Sequence, residues 1–85
     1  MSGRPRMADL VSAAAKQNGM LAGELYQRTR VHHISHPRQL AMYFCCKAGY
    51  SLPQIARHFE MDHTTVLHAR RAVERRLAAQ RERTT

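Results

Sequence analysis

Acidic residues are scarce in this chain: six stand against fourteen lysines and arginines in 85 residues, too few to suggest the carboxylate pair of an acid–base enzyme. Cysteine is nearly absent. Cys45 and Cys46 are neighbours in an apparent helix, where a bridge between them would be strained, and there is no third cysteine. The thiols are therefore expected to stay reduced, in a cytoplasmic protein. With no CxxC grouping, His32, His33, His36 and the two cysteines do not read as a metal centre, and His58 and His68 read as surface or packed side chains. No metal or cofactor is expected. No apolar run approaches the roughly 20 residues that span a bilayer, and the N-terminus lacks the apolar core of a signal peptide. A GxxxxGK[ST] phosphate-binding loop is missing too, so these residues are not expected to hydrolyse ATP, or to form an enzyme of any kind.

What the chain has in quantity is positive charge. The formal net charge is +8, and twelve of the fourteen basic residues are arginine, whose guanidinium forks onto phosphate or guanine. A chain of this length makes one small domain with a single modest core. Nucleic acid is the expected partner; a merely solubilising surface is the alternative.

The apolar pattern is helical throughout. Residues 1–6, with Gly3, Pro5 and two arginines, predict a flexible basic tail. Met7, Leu10, Val11, Ala14 and Ala15 keep helical spacing until Asn18-Gly19 supplies a stop. Leu21 and Leu25, four apart, predict a short helix that covers the core. Residues 28–33 have no period and read as a basic loop. Pro37 suits a first helical position. Arg38 and Gln39 would then lie in the opening turn, where helix N-termini favour anions. Leu40, Phe44 and Ala48 form the predicted buried stripe of that helix, and Gly49 ends it. Ser51 and Gln54 have capping-box spacing before the apolar set Leu52, Ile55, Ala56 and Phe59.

After a short turn at Glu60-Met61, Asp62 is the expected N-cap of a long helix. His63, Thr64 and Thr65 would face outward in its first turn, with Val66, Ala69, Val73 and Leu77 as the inward stripe. Arg70 and Glu74, four apart, could pair. Residues 81–85 predict a frayed basic end. The expected fold is thus all-α, a helix-turn-helix domain over residues 7–80 with a long C-terminal recognition helix.

In a major groove, the first turn of that helix would have useful chemistry. Asp62 can accept from a cytosine or adenine amino group, His63 can donate to a purine or lie against a thymine methyl, and Thr64 offers a hydroxyl and a methyl. Thr65, one step round, suits phosphate. Capping alone is also a sufficient reason for an aspartate at position 62. A basic loop beside such a unit can lie across the backbone or push an arginine into the minor groove.

The string DHTTVLHA, preceded in order by HPRQLAMYF and SLPQIARHF, resembles the C-terminal DNA-binding domain of the DnaA replication initiators over about Val11 to Leu77. The resemblance implies base contacts from Asp62, His63 and Thr64, a minor-groove arginine at Arg30, and apolar contact with thymine methyls from Leu52 and Pro53. A core leucine and a helix-start proline explain the last two equally well. Backbone contacts are expected at Arg28, Arg38, Gln39, Lys47, Thr65 and Ala69, with Lys47 matched only across a one-residue gap. The implied target is an A·T-rich duplex box similar to TTATCCACA.

The chain departs from the family at Phe59-Glu60-Met61, where the initiators usually carry a glycine-rich basic segment one residue longer. Two readings follow. One is a sequence-specific duplex DNA-binding protein of the nucleoid, monomeric on DNA, acting in replication initiation or transcription regulation. The other is an adaptor or anti-initiator that keeps the fold, contacts initiator or replication proteins, and has lost specific DNA recognition.

Overall fold

The computed structural model describes residues 3–27 and 32–84. Five helices occur in chain order, and no strand is found among the described residues: α1 (Met7–Gln17), α2 (Ala22–Leu25), α3 (His32–Lys47), α4 (Leu52–Phe59) and α5 (His63–Thr84). The all-α expectation holds. None of these helices is long and apolar enough to cross a membrane.

Three of the helices stop in the same way. At the end of α1, Met20 N–H donates to the Ala15 carbonyl and Gly19 N–H to Lys16, while Gly19 takes φ +65°. At the end of α3, Tyr50 N–H reaches Cys45 and Gly49 N–H reaches Cys46, with Gly49 at φ +102°. This paired closure satisfies the carbonyls a helix end leaves open, and it requires a left-handed residue that glycine supplies without steric cost. The end of α4 makes the same two bonds, Met61 N–H to Ala56 and Glu60 N–H to Arg57, but the left-handed residue is Glu60, at φ 55° and ψ 46°. The shortened turn before α5 is therefore a helix closure without glycine, and it stores strain at Glu60.

Glu60→Gly is accordingly expected to stabilise the domain by about 1 kcal/mol, with the melting temperature rising by about 4–8 °C. A melt below that of the parent chain would show that contacts of the Glu60 side chain outweigh its backbone strain.

The central helix is α3, which packs against all four others. Its Ala41, Met42 and Cys45 join Val11, Ala14 and Ala15 of α1, Leu25 of α2, Ile55, Ala56 and Phe59 of α4, and Val66 and Ala69 of α5 in one core. The capping box of α4 is present as predicted: Ser51 Oγ accepts from Gln54 N–H, and the Gln54 amide oxygen accepts from Ser51 N–H. Cys45 and Cys46 are free thiols. Burial, reinforced by the neighbouring Cys46, pushes the Cys45 thiol up to about 11, so it stays protonated and packs as a small apolar group.

Several expectations are corrected. Helix α3 begins at His32, not at Pro37; Pro37 lies inside it and is itself buried. Ile34 is also buried against the core, and its burial favours helix before the proline. The predicted stripe Leu40, Phe44 and Ala48 is only half-buried, the buried positions being Ala41, Met42 and Cys45. Leu21 is 76% exposed, so only Leu25 of that pair enters the core. Leu77 is 37% exposed, because α5 outruns the body it packs on, and the helix continues to Thr84 where a frayed end was expected from residue 81.

The N-terminal tail is docked from Arg4 onward. Arg4 Nη1 donates to the Gly49 carbonyl at 2.7 Å, its guanidinium lies 4.1 Å from the centre of the Tyr50 ring, and Tyr50 Oη–H donates to the Pro5 carbonyl at 2.7 Å. The Arg70 Nε is buried and without a hydrogen-bond partner.

Candidate nucleic-acid interface

The first turn of α5 is exposed on every side, and the buried stripe of the helix begins only at Val66. Asp62, His63, Thr64 and Thr65 are all exposed, whereas Val66, Ala69 and Val73 are at most 2% exposed. Asp62 caps the helix as predicted, its Oδ1 accepting from Thr64 N–H at 2.8 Å. The backbone and hydroxyl hydrogen bonds from Thr64, with help from His63, hold the Asp62 carboxyl below the usual carboxylate range. At neutral pH it is ionised and therefore only an acceptor, suited to an amino group and repelled by phosphate. His63 Nδ1 lies 3.5 Å from the same carboxylate, and both side chains are about two-thirds exposed, so that pair contributes little to stability.

Beside this tip, α3 and α5 enclose an open concavity of about 560 Å³ lined by Ser35, His36, Arg38, Gln39, Thr64, Thr65 and His68. Four sequence-predicted residues, Arg38, Gln39, Thr64 and Thr65, thus meet in one place although the two helical turns are about 25 residues apart in the chain. The lining combines hydroxyls, imidazoles, an amide and a guanidinium, a set rich in donors for anionic oxygens.

Arg38 is placed differently from the expectation. It is only 8% exposed, in the second turn of α3, and its Nη1 donates to the Gln27 carbonyl just after α2. Desolvation lowers its pKa from the usual arginine range. The guanidinium therefore forms part of the concavity wall and ties α2 to α3; the helix N-terminus no longer explains its position. Gln39 accepts a hydrogen bond from Arg76 Nη2.

The remaining predicted positions fall in three groups. Pro53 and Lys47 are exposed at the start of α4 and the end of α3, and Leu52 is half-buried against the core. Ala69 is 2% exposed, its methyl in the core, and it sits in the interior of α5 where its backbone N–H serves the helix. Arg28 and Arg30 lie outside the described residues.

Ser35, His36, His68 and Arg76 were missed. His68 follows Thr64 by four residues, so the helical period could have found it. Ser35 and His36 were lost by starting α3 at the proline. Arg76 has no local signal, because its partner is 37 residues away. His58 is a packed histidine, its Nε2 2.7 Å from Tyr26 Oη. No group of three or more potential metal ligands comes together among the described residues.

Comparison with known proteins agrees with this arrangement. Residues 7–73 match the family described as bacterial dnaA protein helix-turn-helix. The chain is 40% identical over 78 residues to the chromosomal replication initiator protein DnaA of Rhizobium meliloti, covering 89% of this chain and 16% of the relative. It is 38% identical over 73 residues to the proteins of that name from Rhodopseudomonas palustris and Nitrobacter hamburgensis, covering 84% of this chain. It spans about a sixth of the length of these relatives. With the matched residues reaching from α1 into α5, and the capped, exposed tip of α5 inside them, the chain belongs to the bacterial DnaA helix-turn-helix family.

Proposed function

We propose that this chain binds duplex DNA sequence-specifically and that it acts in the control of replication initiation or in transcription regulation. The observation that carries the reading is the exposed Asp62-His63-Thr64-Thr65 tip, held at a helix start next to the polar concavity between α3 and α5. The tip enters the major groove, where Asp62, His63 and Thr64 meet base edges, while Thr65, Gln39 and the concavity take the phosphates. Pro53 and the edge of Leu52 lie against thymine methyls, Lys47 and Arg28 add backbone contacts, and Arg30 enters the adjacent minor groove. The activity is binding alone, with no reaction catalysed, by a monomer on nucleoid DNA at boxes similar to TTATCCACA. The net charge of +8 supports long-range attraction to the duplex.

The test is a fluorescence titration of the chain with a TTATCCACA duplex and a scrambled duplex at several salt concentrations. Preference for the box, with affinity falling steeply as salt rises, is expected. Equal affinity for both duplexes would remove the specific part of the proposal.

Glu60 favours a second reading, as an adaptor or anti-initiator contacting initiator or replication proteins. It places an exposed acid two residues before Asp62, where phosphate would repel it. Under that reading Arg30→Ala and Thr64→Ala leave the biological effect intact.

A further inference from the structure

Gln39 sits at the concavity, and the oxygen of its side-chain amide is occupied by Arg76, a residue three positions beyond the last one matched by the family. An amide has one accepting end and one donating end, whereas a guanidinium has donors only. Whatever faces Arg76 must therefore be the oxygen, and the amide NH2 is the end left for another acceptor. The hydroxyls, imidazoles and guanidinium that line the concavity can all donate beside that NH2, and a set of converging donors suits an anionic oxygen. Arg76 is half-buried, and α5 brings it there only because the helix runs on past residue 73.

We propose that Arg76 is a positioning residue: it locks the Gln39 amide with its NH2 turned toward a DNA phosphate. The proposal rests on the DNA-binding reading given above. Without Arg76 the Gln39 side chain is free to rotate among several conformers, and the one that turns its NH2 to the phosphate must be selected from them on binding.

The experiment is a double-mutant cycle with Arg76→Ala, Gln39→Ala and the pair, read as affinity for the TTATCCACA duplex, with thermal melts of each variant. Each single variant is expected to bind about 5- to 10-fold more weakly, and the double variant no more weakly than either single. Arg76→Lys, which retains donors and charge, should lie within about 2-fold of the parent chain. Because Arg76 works through a neutral amide, the slope of log affinity against log salt should change in Arg76→Ala by well under the roughly 0.9 that a lost phosphate contact would remove.

Multiplying effects in the double variant, no effect of Arg76→Ala, or a salt slope reduced by a full phosphate contact would each overturn the proposal. If Arg76→Ala fails to fold, Arg76→Lys and Gln39→Ala decide: a Lys variant as weak as the Gln39 variant overturns it, and one close to the parent supports it. A parent chain that binds no duplex at all would instead sink the DNA-binding reading, and this inference with it.

Discussion

Thr64→Ala is expected to weaken binding to the TTATCCACA duplex by about 10- to 100-fold and to leave binding to a scrambled duplex nearly unchanged. Thr64 is exposed, so its loss makes no cavity, and the cap survives because Asp62 accepts from the backbone N–H of residue 64. What disappears is a hydroxyl and a methyl at the outermost turn of α5. Of these the hydroxyl is already oriented by the Asp62 carboxylate. A base contact discriminates between sequences, whereas a phosphate contact weakens all duplexes alike. A parallel loss on both duplexes would therefore move Thr64 from the base edges to the backbone. No loss on either would remove α5 from the interface.

Phe59→Ala is expected to destabilise the domain by about 3–5 kcal/mol, lowering the melting temperature by about 15 °C or more. Phe59 is 2% exposed at the end of α4, with its ring 5.3 Å from Tyr26 and 5.5 Å from His58. It joins the short α2 to the helix that leads into the α5 turn. A domain of this size has little stability to spare, so DNA affinity should fall with the folded fraction. A melting temperature only a few degrees lower, measured by circular dichroism, would show that α2 collapses onto α4 and fills the void.

The elements read most clearly from the sequence were those with local signals. Asn18-Gly19 and Gly49 marked two helix ends because a left-handed closure favours glycine. Ser51 with Gln54 and Asp62 marked two starts because the capping atoms lie within three residues of their partners. The third closure was invisible as such, since Glu60 occupies a position at which glycine is the usual signal. Pro37 misled for a related reason. A proline fits a first turn so well that its presence inside α3 goes unread unless Ile34, four residues into no clear pattern, is known to be buried. The stripe of α3 was misjudged because that helix is surrounded by four others, and a helix packed on several sides has no single apolar face to find.

The polar tip of α5 was legible, because an N-cap followed by short polar side chains announces an exposed helix start. The concavity was not. Its walls come from turns of α3 and α5 far apart in sequence, and only their packing makes Ser35, His36, Gln39 and His68 neighbours of Thr64.

By itself, then, the sequence determined the helical class, the positions of most caps, the positive charge and the polar string that opens α5, since each depends on residues within a turn or two of one another or on composition alone. The tertiary structure decided that Arg38 is tied to Gln27, that Ala69 is core, that the N-terminal tail is docked on Tyr50 and that Arg76 holds Gln39. Each of these depends on which helix faces which, and that choice is made by burying the shared apolar core of five helices together, a cooperative result that no local spacing encodes.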